Sequence, residues 1–281
     1  MTMITQLLIN TLIIGSGYAL MAMAFRLMYW VSPFFNLTLG ASAALGAYLG
    51  LTFGGAAWSW PIVMLAVAVF TWALEAFIYR PVREKGASPM VLLVVSLGVY
   101  TIFESVIHLI YGPQYRTLGS ALDFSKIAGI PTAQFVMVVF AIVVLVAISL
   151  LLRKTFFGKE VRAIHDSPSL SDLIGLNTGR VVMIVAGIVG AILGAYGILV
   201  GFDTGMEPTM GFHLLFKGMI AAIIGGPSIL GAYLGAMILA GAENLGVWLF
   251  ASQWRDTVAF VIFIAMLWLR PNGIFEKVKK Q

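Results

Sequence analysis

Glu104 and His108 stand four residues apart, a spacing that puts both side chains on one face of a helix. Inside a membrane such a carboxylate–imidazole pair could relay a proton; the plainer reading is a pair facing a neighbouring helix. Glu75 and Glu243 also fall in strongly apolar stretches. A carboxylate at the bilayer centre costs about 2.5–3.5 kcal/mol, so each needs a reason to be there. Glu75 lies one turn before Tyr79-Arg80 and can snorkel or pair with Arg80. Glu243, followed by Asn244, could line a solute path. Asn36, Thr38 and Ser96 are further polar candidates for that path, and Gly225-Gly226 marks a hinge or a close backbone approach. Each of these polar groups could equally hydrogen-bond between helices.

Catalysis and metal binding find little support. His108, His165 and His213 are scattered, no acidic pair repeats at ligand spacing, and there is no cysteine. No catalytic or metal-ligating residue is assigned. A G-x-x-x-x-G-K-[ST] phosphate loop is absent, so no nucleotide or other cofactor is expected on this chain.

The elements that must position these residues are membrane helices. The chain is 60% hydrophobic and 10% charged, against about 25% charged in a soluble domain. Charges are missing from 1–25, 27–74, 127–152, 181–202 and 218–242. Runs of about 20 apolar residues can span a bilayer, and a chain in lipid must satisfy its backbone internally, as helices do. Spans are expected near 7–24, 33–53, 58–78, 90–111, 133–152, 181–200, 211–225, 228–250 and 257–269. The expected fold is an all-α polytopic membrane protein of about eight to nine helices, one domain over 1–281. The first 24 residues lack a basic leader, so no cleaved signal peptide is expected.

Basic loops favour the cytoplasm. Arg80, Arg83 and Lys85 mark one, Arg153, Lys154, Lys159, Arg162 and Arg180 a second, and Arg270, Lys277, Lys279 and Lys280 a cytoplasmic C-terminus. The net charge of +5 is therefore read as topology, not as nucleic-acid binding. Small residues recur four apart at Gly46/Gly50, Gly190/Gly194, Gly197/Gly201 and Gly231/Gly235, which lets helix backbones approach.

Between spans lies a polar island, 153–180. Ser167-Pro168 reads as a helix start and Gly175 as a stop. Leu170, Leu173 and Ile174 share one face of the intervening helix. So short a helix is not stable alone in water. It would dock into a groove of a cytoplasmic partner, or lie on its own bundle or the lipid headgroups.

Several motifs bring a resemblance. Gly158-x-x-x-Arg162-Ala163, then Gly175-Leu176-Asn177 and Arg180, resembles the cytoplasmic loop of permease subunits of branched-chain amino-acid ABC importers. Asn36-x-x-x-Gly40 followed by Gly46-Ala47-Tyr48 resembles that family's asparagine-phenylalanine-alanine-histidine-glycine motif and its G-A-Y. Ala222-Ile223-Ile224-Gly225-Gly226 resembles its double-glycine region, and Arg270-Pro271-Asn272-Gly273 its terminal R-P-x-G. Leu39 replaces the family's histidine, Ser171 and Asp172 stand where alanines are usual, and the double-glycine region is one residue short.

The resemblance implies a heterodimer of two permeases enclosing the path, in the bacterial inner membrane and among its lipids. A periplasmic or lipid-anchored binding protein would deliver solute. Two cytoplasmic ATPases, holding ATP and magnesium, would grip a coupling helix at 167–176. The alternative is a stand-alone channel or secondary carrier for a small neutral solute such as urea or an amide.

Overall fold

Pro33 ends the first helix, because proline disfavours helical geometry in the residue before it and brings no N–H of its own. The computed structural model describes residues 3–118, 131–173, 175–249, 252–269 and 273–275. Helix α1 (Met3–Val31) runs well past the expected boundary at 24. Arg26 is tolerated there because its guanidinium donates to the Ala222 carbonyl. Helix α2 (Thr38–Thr52) begins five residues later than expected from the apolar run. Residues 32–37 are not helical; Asn36 Oδ1 instead accepts from the Thr38 amide at 3.0 Å and the Thr38 hydroxyl at 2.6 Å, an Asx turn that launches the helix.

Helix α3 (Ser59–Leu74) widens into a π-turn at Glu75–Tyr79 and continues as α4 (Arg80–Glu84). Pro81, which cannot donate, lies two residues past the widened turn. Ser88 caps α5 (Pro89–Tyr111), its hydroxyl accepting from Val91 N, and Gly112 closes the helix at φ 76°. Helix α6 (Thr132–Lys154) leads to α7 (Phe156–Asp166), which Thr155 caps through Gly158 N. Then come α8 (Pro168–Leu173), α9 (Thr178–Asp203), α10 (Met210–Gly225), α11 (Ile229–Leu249) and α12 (Arg255–Leu269).

Apolar helices thus stand at all nine expected places. Among the described residues, six are long and apolar enough to cross a membrane. Helices α2, α10 and α12 have 15, 16 and 15 residues, about 22–24 Å at 1.5 Å per residue.

Helix α9 is the axis of the bundle. Its glycines admit two neighbours to backbone contact. A Cβ built on Gly46 would stand 2.7 Å from the Gly194 carbonyl, and one on Gly197 would overlap the Ala43 carbonyl, so α2 lies directly on α9. On another side a Cβ at Gly190 would overlap Thr71 of α3, whose hydroxyl donates to Ala186 O at 2.8 Å. The Gly231/Gly235 pair does the same for α11 against Ala221 and Gly225 of α10. Small-residue spacing in the sequence therefore marks real close approaches.

One end of the bundle carries Arg80, Arg83, α7, α8 and the α10–α11 turn. At the opposite end Arg116 and Met206 pair backbone to backbone at 3.0 and 2.7 Å.

Candidate functional site

The polar island folds as two short helices. Gly158 lets α7 turn back onto α6, since a Cβ there would overlap the Leu151 carbonyl. Val161 and Ile164 are buried by that turn, and Arg162 is exposed with its Nε 3.4 Å from the Gly158 carbonyl. The Ala163 carbonyl accepts from Ser167 N at 3.0 Å, ending α7, and α8 starts at Pro168. Gly175 adopts φ 82°, the left-handed stop expected from the sequence. Asn177 caps α9 by accepting from Arg180 N at 3.0 Å. Ile174 lies outside the described residues, as do Arg270, Pro271 and Asn272.

Helix α8 is inside out. Leu170 is 61% and Leu173 82% exposed, while Ser171 is 2% exposed. The Ser171 hydroxyl donates to Ser167 O at 3.0 Å, which satisfies the one group that burial would penalise. The apolar side chains of this helix thus point away from the bundle.

His165, in the last turn of α7, stacks on Trp30 with ring centroids 4.7 Å apart. Burial lowers its pKa below that of an ordinary imidazole; the charge of Arg26 pushes the same way, while Asp166 and a hydrogen bond to the Trp30 backbone oppose it.

The candidate path residues fall into two separate clusters. In the first, Asn36, Thr38 and Ser96 meet at the start of α2. The Tyr79 hydroxyl donates to Thr38 Oγ1 at 3.0 Å, and Ser96 Oγ accepts from Leu37 N at 3.2 Å. All three candidates are buried. Gly40 packs on Gly211 of α10 with no room for a Cβ at either. Glu75 borders the same cluster across a cavity of about 10 Å³ lined by Asn36, Thr38, Thr71 and Tyr79, room for about one water. Its expected partner needs correcting: Glu75 pairs with Arg83, and Arg80 pairs with Glu84 at 2.7 Å. The π-turn changes the register between Glu75 and the arginines that follow it, so one-turn spacing fails here.

The second cluster surrounds Glu243. Its Oε2 accepts from the Tyr18 hydroxyl at 2.8 Å and its Oε1 from Lys217 Nζ at 2.5 Å. Lys217 also reaches Asp256 at 2.8 Å. Neighbouring Asn244 donates to Thr11 Oγ1 at 3.1 Å, tying α11 to α1. Gly225 lies against Gly231, and Gly226 turns the chain at φ 79°. Glu104 hydrogen-bonds the buried Tyr100 hydroxyl, and His108 is exposed.

Lys217, Tyr18 and Asp256 were not legible as a group. A lone lysine in an apolar run was the available signal, and Glu243 is 26 residues further on. Among the described residues no group of three His, Asp or Glu could hold a metal ion.

Long apolar helices, glycine-mediated packing and buried polar knots define a polytopic integral membrane protein. The chain belongs to the family described as branched-chain amino acid transport system / permease component, matched over residues 7–267. It is 28% identical to the high-affinity branched-chain amino acid transport system permease protein LivH of Salmonella typhimurium, over 97% of this chain and 95% of that protein. It is 27% identical to the corresponding permease BraD of Pseudomonas aeruginosa, with the same coverage. A probable branched-chain amino acid transport permease protein LivH of Methanocaldococcus jannaschii is 26% identical over 98% of this chain and 95% of that protein. The chain is thus a transport permease component, one membrane-embedded part of a multi-subunit ABC transporter.

Proposed function

We propose that this chain forms half of the solute path of an ATP-driven importer for branched-chain or related amino acids, in a bacterial inner membrane. A second permease completes the path, a binding protein supplies solute, and two cytoplasmic ATPases hold the nucleotide and its magnesium. The basic end of the bundle faces the cytoplasm with the C-terminus. Gly158, Arg162, Ala163 and Ser167 shape the coupling segment, and α8 with Gly175 is the element the ATPase grips. Asn36, Thr38, Gly40, Ser96, Gly225, Gly226, Glu243 and Asn244 border or support the path.

The observation that carries the coupling role is the outward aim of Leu170 and Leu173 at the basic end. Two exposed leucines on a six-residue helix have no use in solvent and suit an apolar groove. Closure of the ATPases would then displace α8 and bias the bundle between two rigid-body states.

The test is Leu173→Glu in the native membrane, with affinity purification in mild detergent. The variant is expected to insert normally and lose ATP-driven uptake, and the wild type to bring down an ATPase and a second permease. Normal uptake by the variant removes α8 from its role. A wild-type chain that purifies alone as a self-oligomer would favour a channel or carrier.

A further inference from the structure

We infer that Trp30 is a positioning residue that carries displacement of the α7–α8 segment to the α10–α11 turn. The inference rests on the importer reading above.

Trp30 occupies the last turn of α1 and touches both elements. Its ring lies on the His165 ring at 4.7 Å and 19°. The indole N–H donates to the Pro227 carbonyl at 2.9 Å. Pro227 follows Gly225-Gly226, where Gly226 holds φ 79°. From the other side Ile274 N donates to Ile224 O at 2.9 Å, and Gly273 sits too close to Gly226 for a Cβ. The turn is therefore gripped between Trp30 and the 273–275 segment.

The input side is equally short. Ser167 alone joins α7 to α8, and Ser171 of α8 bonds back to it. A push on α8 must act on the end of α7, where His165 meets Trp30. An indole is a rigid plate with two rotatable bonds; held by a stack on one side and a directional bond on the other, it cannot shift at His165 without pulling on Pro227. The competing reading is a tryptophan that marks the membrane–water interface, where the residue is common. An interfacial role needs neither the His165 stack nor the Pro227 bond.

The experiment uses the complete transporter in proteoliposomes and reads solute moved per ATP hydrolysed. Trp30→Phe keeps a ring for His165 and loses the donor to Pro227. It should assemble and hydrolyse ATP, with solute per ATP lowered about fivefold. His165→Phe, which keeps the stack, should stay near the wild-type ratio. A wild-type ratio in Trp30→Phe overturns the inference. A second measurement leaves Trp30 intact, so it does not depend on that variant folding. In this cysteine-free chain, Asp166→Cys and Ser228→Cys carry spin labels, and their separation is compared with and without ATP. The two sites should keep their separation while both move relative to α9. A separation that changes with ATP means the two elements move independently and sinks the idea. If Leu173→Glu uncouples transport and Trp30→Phe does not, the inference fails while the importer reading stands.

Discussion

Lys217 Nζ lies 2.5 Å from Glu243 Oε1, joining α10 to α11 between side chains that are 13% and 1% exposed. Both charges sit in apolar helices, so neither would be tolerated alone. The pair explains how this bundle holds a carboxylate that the sequence leaves unaccounted for.

Removing one partner should therefore hurt more than removing both. Lys217→Met leaves the Glu243 carboxylate to Tyr18 alone and should destabilise the fold by about 3–5 kcal/mol. The double variant Lys217→Met, Glu243→Met should recover most of that. Thermal unfolding of the purified chain in detergent measures both. A double variant no more stable than the single one would mean the pair is not the stabilising unit.

Two helix glycines should respond differently to an added methyl group. A Cβ at Gly197 overlaps the Ala43 carbonyl and meets Ala47 N at 2.6 Å, while at Gly98 it meets nothing within 4 Å. Gly197→Ala should destabilise by about 1–3 kcal/mol, and Gly98→Ala should stay within about 0.5 kcal/mol of the wild type. The same unfolding assay compares them.

Acid should loosen the His165 contact. The folded chain holds His165 below the ordinary imidazole value of 6.5, so it binds fewer protons there than the unfolded chain. The stability contributed by neutral His165 is complete above about 6.5 and is lost as pH falls toward the lowered folded value. Between about pH 7.5 and about pH 5.5 the wild-type melting temperature should fall more than that of His165→Gln. Parallel curves would mean that this imidazole does not titrate between the two states.

The helices were legible from the sequence because a bilayer demands long uncharged runs, and those runs are contiguous. The late start of α2 was not: Pro33, Phe34 and Phe35 are apolar and extend the run, while the turn that sets where the helix begins depends on one side-chain carboxamide, Asn36. The polar island was legible through its caps, Gly175 and the Ser167-Pro168 step. Its orientation was not, because α8 is amphipathic in either direction, and only its packing turns Ser171 inward. The partner of Glu75 was misassigned because spacing arguments assume an unbroken α-helix. Trp30 was invisible for a different reason: its partners come from α7 and from the α10–α11 turn, which no local pattern connects.

The backbone-to-backbone contacts of α9 with α2 and α3 have a mechanical consequence. Side chains can exchange rotamers and slide; carbonyls pressed on glycine Cα atoms have no such slack. These three helices form a chassis that travels as one piece. Relative motion is left to parts outside that frame: the α10–α11 turn, at the other end of α10 from its Gly211 contact with α2, and α12, with Ala259 its one buried residue among those described. Any alternation of access would be built from such parts shifting on a frame that keeps its shape.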